Sequence, residues 1–337
     1  ESLSLEELSN KFIEYWKVHA DETGQQPLDA YFYRFYPTDY LGKSSPRDYK
    51  ERGRFMRAFI KEFDERIRWN VYEEFGYNAL IGRTLEKTGS SGVYIPEEDL
   101  QEVWSSVKTW LSANEPSGTI TEKDFTIFLN LLLYRIRTRG AIGHPYLEKF
   151  RSRDLSLWDL NWMKDSRHFL NRRFGPRTRI PKLLTYEKDS RGLLDSTLAK
   201  TTNWYHQYYK KSFQLASNYL EIINEFFQQV VKVMAEASIL DVKNSEEKIN
   251  FALNPAKIYV SSTITAYECN TCGDQINLGH SEHNLEGGKC LTYRCSGEYM
   301  KNDQLLVSNY YQLVYNRNRS PRIYAADHTG LLERKQR

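Results

Sequence analysis

The sequence predicts a mainly α-helical, α+β protein: helical and winged-helix-like modules followed by a small zinc ribbon. Three observations predict it. Apolar residues recur at helical spacing through residues 5–16, 55–67, 100–111, 125–136 and 215–233. Two short apolar runs, Ile239-Leu240-Asp241-Val242 and Ile249-Asn250-Phe251-Ala252-Leu253, flank a charged loop, as the strands of a hairpin or wing would. All four cysteines fall in two close pairs, Cys269-x2-Cys272 and Cys290-x4-Cys295.

Each element has a local cause. Leu5, Leu8, Phe12, Tyr15 and Trp16 make one helical stripe, with Ser4 as its cap and Glu7 three residues on. Phe55, Phe59, Ile60, Phe63 and Ile67 make a second stripe. Its other face, from Arg52 to Arg68, is densely charged: a solvated face, or a face that tracks phosphates. Residues 87–92, Lys-Thr-Gly-Ser-Ser-Gly, read as a loop or linker. A helix opens after Pro96, where Glu97, Glu98 and Asp99 suit the positive end of the helix dipole. Leu100, Val103, Trp104, Val107 and Leu111 form its inner face. After the turn Glu115-Pro116-Ser117-Gly118, Thr121 caps another helix, with Asp124 at the capping-box position. That helix ends in Arg135, Arg137 and Arg139 before Gly140. Two helices, a short turn and an arginine-rich end fit a helix-turn-helix or winged-helix unit. The same arginines also suit a helix C-terminus as plain dipole partners. A long apolar helix over residues 213–236 precedes the hairpin, and Ile258-Tyr259-Val260 reads as a strand entering the cysteine region.

The cysteine spacing points to metal. A tetrahedral ion needs two short thiolate bites brought together by a chain reversal, and Gly273, Gly287, Gly288 and Gly297 flank the pairs where tight turns are needed. Cys269, Cys272, Cys290 and Cys295 are therefore expected to hold one structural zinc. Two disulfides are the alternative, and His280 or His283 in the intervening loop can stand in for one thiolate. A full shell of four thiolates leaves no open position for catalysis.

Composition bounds the rest. The 337 residues are 40% hydrophobic and 27% charged, and no apolar run reaches the length of a membrane span. No secretory signal pattern is found, so a reducing, cytoplasmic setting is expected. The start at Glu1 and the charged run 331–337 are expected of a piece of a longer polypeptide. Net charge is only +3, but residues 135–191 carry 15 Lys and Arg against 6 Asp and Glu. This local excess is the electrostatic footprint of a nucleic-acid contact. Within it, Arg137, Arg139, Arg172, Arg173, Arg177 and Arg179 are expected to hold phosphates, and Trp162 and Phe174 to stack on bases. An interdomain lid with buried aromatics is the plainer alternative. The seven histidines are scattered and the paired glutamates lie in charged surroundings, so no catalytic constellation assembles.

One further signal is a resemblance. Arg322-Ile323-Tyr324-Ala325-Ala326-Asp327-His328-Thr329-Gly330-Leu331-Leu332-Glu333-Arg334 resembles a segment near the start of the second RecA-like domain of large bacterial superfamily 2 DEAD/DEAH-box helicases. The likeness is to the very long helicases of phage-defence systems such as DISARM and Druantia, in which a zinc knuckle lies just upstream. Gly82-Arg83-Thr84-Leu85-Glu86 and residues 133–142 are similar to parts of the insertion between the two motor domains. The resemblance implies a DNA-guiding accessory region of an ATP-dependent helicase. Its partner would be single-stranded or forked DNA, with a defence-system protein as a further partner. ATP and magnesium would belong to the parent protein. The chain departs from the motor pattern itself: it has no Gly-x4-Gly-Lys-Ser/Thr loop and no acidic magnesium box, so this region is not expected to hydrolyse ATP. A zinc-stabilised protein–protein docking module is the alternative.

The expected organisation is then a helical region over 1–92 and a helical, winged-helix-like module with its basic loop over 93–195. A long helix with a β-wing follows over 196–266, and a four-cysteine zinc ribbon over 267–300. By the resemblance, the start of the second motor domain occupies 301–337.

Overall fold

The computed structural model describes residues 2–18, 31, 35, 54–114, 120–145, 147, 181–189, 194–198, 203–213, 220–244, 249–279, 284–302 and 304. Among them the fold is mixed α+β, with six helices and two mixed sheets. The sheets therefore carry more of the architecture than the expected mainly helical class implied.

The chain opens as strand β1 (Ser2–Ser4) and turns at once into helix α1 (Leu5–Val18). Ser4 makes the junction. Its amide donates to Glu7 Oε2 at 2.9 Å, and the Glu7 amide donates to Ser4 Oγ at 3.2 Å, a reciprocal capping box. Helix α2 (Arg54–Phe75) packs against α1. Part of its charged face is an internal contact: Asp64 pairs with Lys17 at 2.5 Å, and Arg68 reaches Asn10 at 2.7 Å.

Helices α3 (Glu97–Asn114) and α4 (Glu122–Thr138) follow strand β2 (Gly92–Tyr94). Thr121 caps α4 as its sequence predicts, accepting from the Asp124 amide at 3.2 Å. The inner stripe Leu100, Val103, Trp104, Val107 and Leu111 is buried. Helix α4 is buried on most of its circumference, from Phe125 through Thr138, because other elements cover it on several sides. Helix α5 (Trp204–Phe213) and helix α6 (Leu220–Glu236) cover it with aromatic rings. Phe128 stacks on Tyr208 at 4.9 Å, and Phe226 meets Phe125, Phe128, Tyr209 and Phe213. Core packing thus accounts for much of the aromatic content among the described residues.

The smaller sheet has the order β4-β3-β6-β5, from Leu184–Thr185 (β3), Asp195–Ser196 (β4), Leu240–Asn244 (β5) and Ile249–Leu253 (β6). The predicted hairpin β5–β6 is present. It is not a projecting two-stranded wing, since β6 also pairs with β3, and Phe251, Ala252 and Leu253 are buried.

The larger sheet decides where the cysteines sit. Its order is β1-β7-β2-β9-β8-β10, with β7 (Tyr259–Ser261), β8 (Ile264–Cys269), β9 (Gln275–Gly279) and β10 (Tyr299–Lys301). Strands from residues 2–4 and 92–94 are thus built into the sheet that carries the cysteines. The expected boundaries at 92/93 and 266/267 each fall inside a strand of this sheet, β2 and β8. One continuous apolar core joins Leu5 of α1 to Tyr299 of β10. Among the described residues no helix is long and apolar enough to cross a membrane.

Candidate metal centre

Strand β8 runs straight into the first cysteine. At its end the chain reverses: the Gly273 amide donates to the Cys269 carbonyl at 3.0 Å, and the Cys269 amide to the Asp274 carbonyl at 2.8 Å. Gly273 has φ +72°, a left-handed conformation that glycine adopts without steric cost. The second loop is closed at its base by a short ladder. The Tyr299 amide bonds the Gly288 carbonyl at 2.8 Å, and the Cys290 amide bonds the Gly297 carbonyl at 2.9 Å. Pairing of Tyr299 with Cys269 across β8 and β10 then sets the two loops side by side.

The result is a cluster of four sulfurs, all within 4.8 Å of one another. Cys269 and Cys295 Sγ lie 3.7 Å apart, Cys272 and Cys290 Sγ 3.5 Å apart. A zinc ion with bonds of about 2.3 Å needs sulfurs at tetrahedral corners about 3.8 Å apart. A disulfide needs about 2.05 Å, and the four thiols here are free. The donor set and spacing fit one metal ion. His280 and His283 lie outside the described residues.

The backbone aims its amides at the sulfurs, but burial works against ionisation. Each thiol accepts an amide from two residues on. Thr271 donates to Cys269 at 3.5 Å, Thr292 to Cys290 at 3.4 Å and Gly297 to Cys295 at 3.4 Å, and the Asp274 amide serves Cys272. For Cys272, burial opposes ionisation, but the Asp274 amide and the Thr292 hydroxyl outweigh it and hold the thiol down at about 7. Burial pushes the Cys290 thiol up to about 12. A bound dication would ionise all four.

Neighbouring elements brace the cluster. Lys211, on the last turn of α5, donates its ammonium to the carbonyls of Cys290 and Cys295. Burial lowers its pKa, and the nearby thiols act in the opposite direction. Trp204 Nε1 donates to the Leu291 carbonyl at 2.8 Å. Tyr299 bridges both loops: its hydroxyl donates to Asp274 at 2.5 Å and accepts the Leu291 amide at 3.2 Å. Gly297 is fixed by close approach, because a Cβ there would lie 2.5 Å from Cys269 Sγ. None of Trp204, Lys211 or Tyr299 carried a sequence signal for this role, since α5 reaches the loops only through tertiary packing and Tyr299 only through the pairing of β10 with β8. Gly297 did, by lying two residues after Cys295.

The expected nucleic-acid residues fare differently. Arg137 is a correction. Its guanidinium is buried and bidentate on Glu86, at 2.7 and 2.9 Å, and it also donates to the Phe75 carbonyl. With its donors satisfied internally, it has nothing to offer a phosphate. Arg139 lies 3.7 Å from Asp195, and Arg135 lies 3.8 Å from the same carboxylate with its guanidinium 3.9 Å from the Trp204 ring centroid. These arginines therefore tie the end of α4 to β4 and α5. Trp162, Arg172, Arg173, Phe174, Arg177 and Arg179 lie outside the described residues. No protein-family model matches the chain, and neither a curated protein nor a solved structure matches it.

Proposed function

We propose that this chain is a non-catalytic, nucleic-acid-binding region built around a structural zinc site, serving a helicase-type parent protein in a reducing, cytoplasmic setting. The observation that carries the reading is the four-sulfur cluster, with one backbone amide aimed at each sulfur. Four thiolates complete a zinc shell, so the ion would hold two loops together rather than activate a water. Cys269, Cys272, Cys290 and Cys295 would supply every ligand.

The nucleic-acid part is supported by the charge excess over residues 135–191 and by the resemblance to the inter-motor insertion of large helicases. Arg137 being buried, the phosphate contacts proposed are Arg139, which stays partly exposed beside Asp195, and Arg172, Arg173, Arg177 and Arg179, with Trp162 and Phe174 as stacking partners. The winged-helix part of the reading rests on the α3–α4 pair with its arginine-rich end, since the β5–β6 hairpin is built into a four-stranded sheet. A titration of forked DNA at several salt concentrations tests the reading. Steep weakening with salt is expected, because each phosphate contact releases condensed counterions. Failure of the zinc-loaded protein to bind DNA at low salt would refute it and favour the protein-docking alternative.

A further inference from the structure

An open cleft of about 420 Å³ lies against the second cysteine loop, lined by Trp204, Gln207, Lys211, Tyr293, Arg294 and Ser296, among others. No carboxylate lines it among the described residues. Tyr293 is 45% exposed, and the Arg294 guanidinium lies 5.2 Å from its centroid. Arg294 also holds φ +64°. For a side chain other than glycine this left-handed conformation costs about 1–2 kcal/mol. An arginine therefore sits where glycine would be less strained, with its charge at the rim of an acid-free, aromatic cleft.

We propose that this cleft binds a stretch of single-stranded nucleic acid, with a phosphodiester held by Arg294 and a base stacked on Tyr293. The proposal rests on the nucleic-acid reading above and gives it a locus independent of the basic stretch 135–191. The chemistry matches the ligand: a planar ring takes the face of any base, and a guanidinium takes the backbone anion. Lys211 adds positive potential from the cleft wall while its ammonium stays on the cysteine-loop carbonyls.

The test uses the zinc-loaded full chain, a fluorescent oligothymidylate, and the variants Tyr293→Ala and Arg294→Gly. The Arg294→Gly change removes the cation while suiting the left-handed backbone, so metal content, measured in parallel, should be kept. Tyr293→Ala is expected to weaken binding about tenfold with little change in salt dependence. Arg294→Gly is expected to reduce the salt slope by about 0.7, the value of one lost phosphate contact on a single strand. Thymidine monophosphate at equal phosphate concentration should leave the complex in place; displacement by it would reassign the cleft to free nucleotides and overturn the strand proposal. If the parent chain binds the oligonucleotide and both variants bind it equally well, the cleft assignment alone is wrong. If the parent chain does not bind at all, both the cleft and the nucleic-acid reading fall.

Discussion

At the scale of single residues, chemistry and location separate. Arg137 has the residue type and helix position of a phosphate ligand, yet it is 4% exposed and closed on Glu86, itself 1% exposed. A sequence shows the charge of an arginine but not the carboxylate that reaches it from 51 positions away. Removing one member of such a pair leaves the other buried and uncompensated, at a cost of about 3–5 kcal/mol. Glu86→Gln should therefore lower stability by about 3 kcal/mol in urea unfolding and leave DNA affinity unchanged. His144 makes a second residue-level prediction. It packs against Trp69 and Tyr72 at 5.0 and 5.6 Å. Burial first, and then the charge of Arg68, lower its pKa to about 3. Glu65 Oε2 lies 3.5 Å from Nε2, but Glu65 is paired with Arg68 at 2.6 Å, so burial prevails. The unfolded chain then binds a proton near pH 6.5 that the folded chain refuses until about pH 3. Stability should fall as pH drops from 6.5 toward 3, by up to about 1.4 kcal/mol per unit. In His144→Phe that slope should flatten, as unfolding curves at about pH 7 and about pH 5 would show.

At the scale of elements, legibility followed the range of the interaction. The Ser4–Glu7 and Thr121–Asp124 caps are contacts three residues apart, and both were readable from spacing alone. So were the buried stripe of α3 and the β5–β6 hairpin. The β1 strand was not readable: Ser2, Leu3 and Ser4 carry no strand signal, and they become one only because β7 offers an edge more than 250 residues later. The cysteine site stood between these cases. The residue types and the two bites were visible, but no helix was read from the sequence over 204–213, so α5, which braces the second loop through Trp204 and Lys211, was missed. A cap prediction belongs to this scale. Thr121→Ala leaves an amide of the first turn of α4 without its partner and should lower stability by about 1 kcal/mol, measured as a shift of the urea midpoint at constant m value.

At the scale of the whole molecule, a large sheet joins residues 2–4, 92–94 and 259–301, and a common core runs beneath it. A linear partition by local composition and motif order does not reveal this, because strands β1 and β2 pair with β7 far along the chain. The arrangement makes the four sulfurs a clasp at one edge of a sheet that the N-terminal segment also completes. The binding energy of a metal held there would then be folding energy for the sheet rather than for a detached ribbon. The most direct test is X-ray absorption at the zinc edge together with metal analysis of the purified chain. The predicted result is about one zinc per chain with four sulfur neighbours at about 2.3 Å. A folded, metal-free chain in which Cys269, Cys272, Cys290 and Cys295 all react freely with a thiol reagent would contradict it.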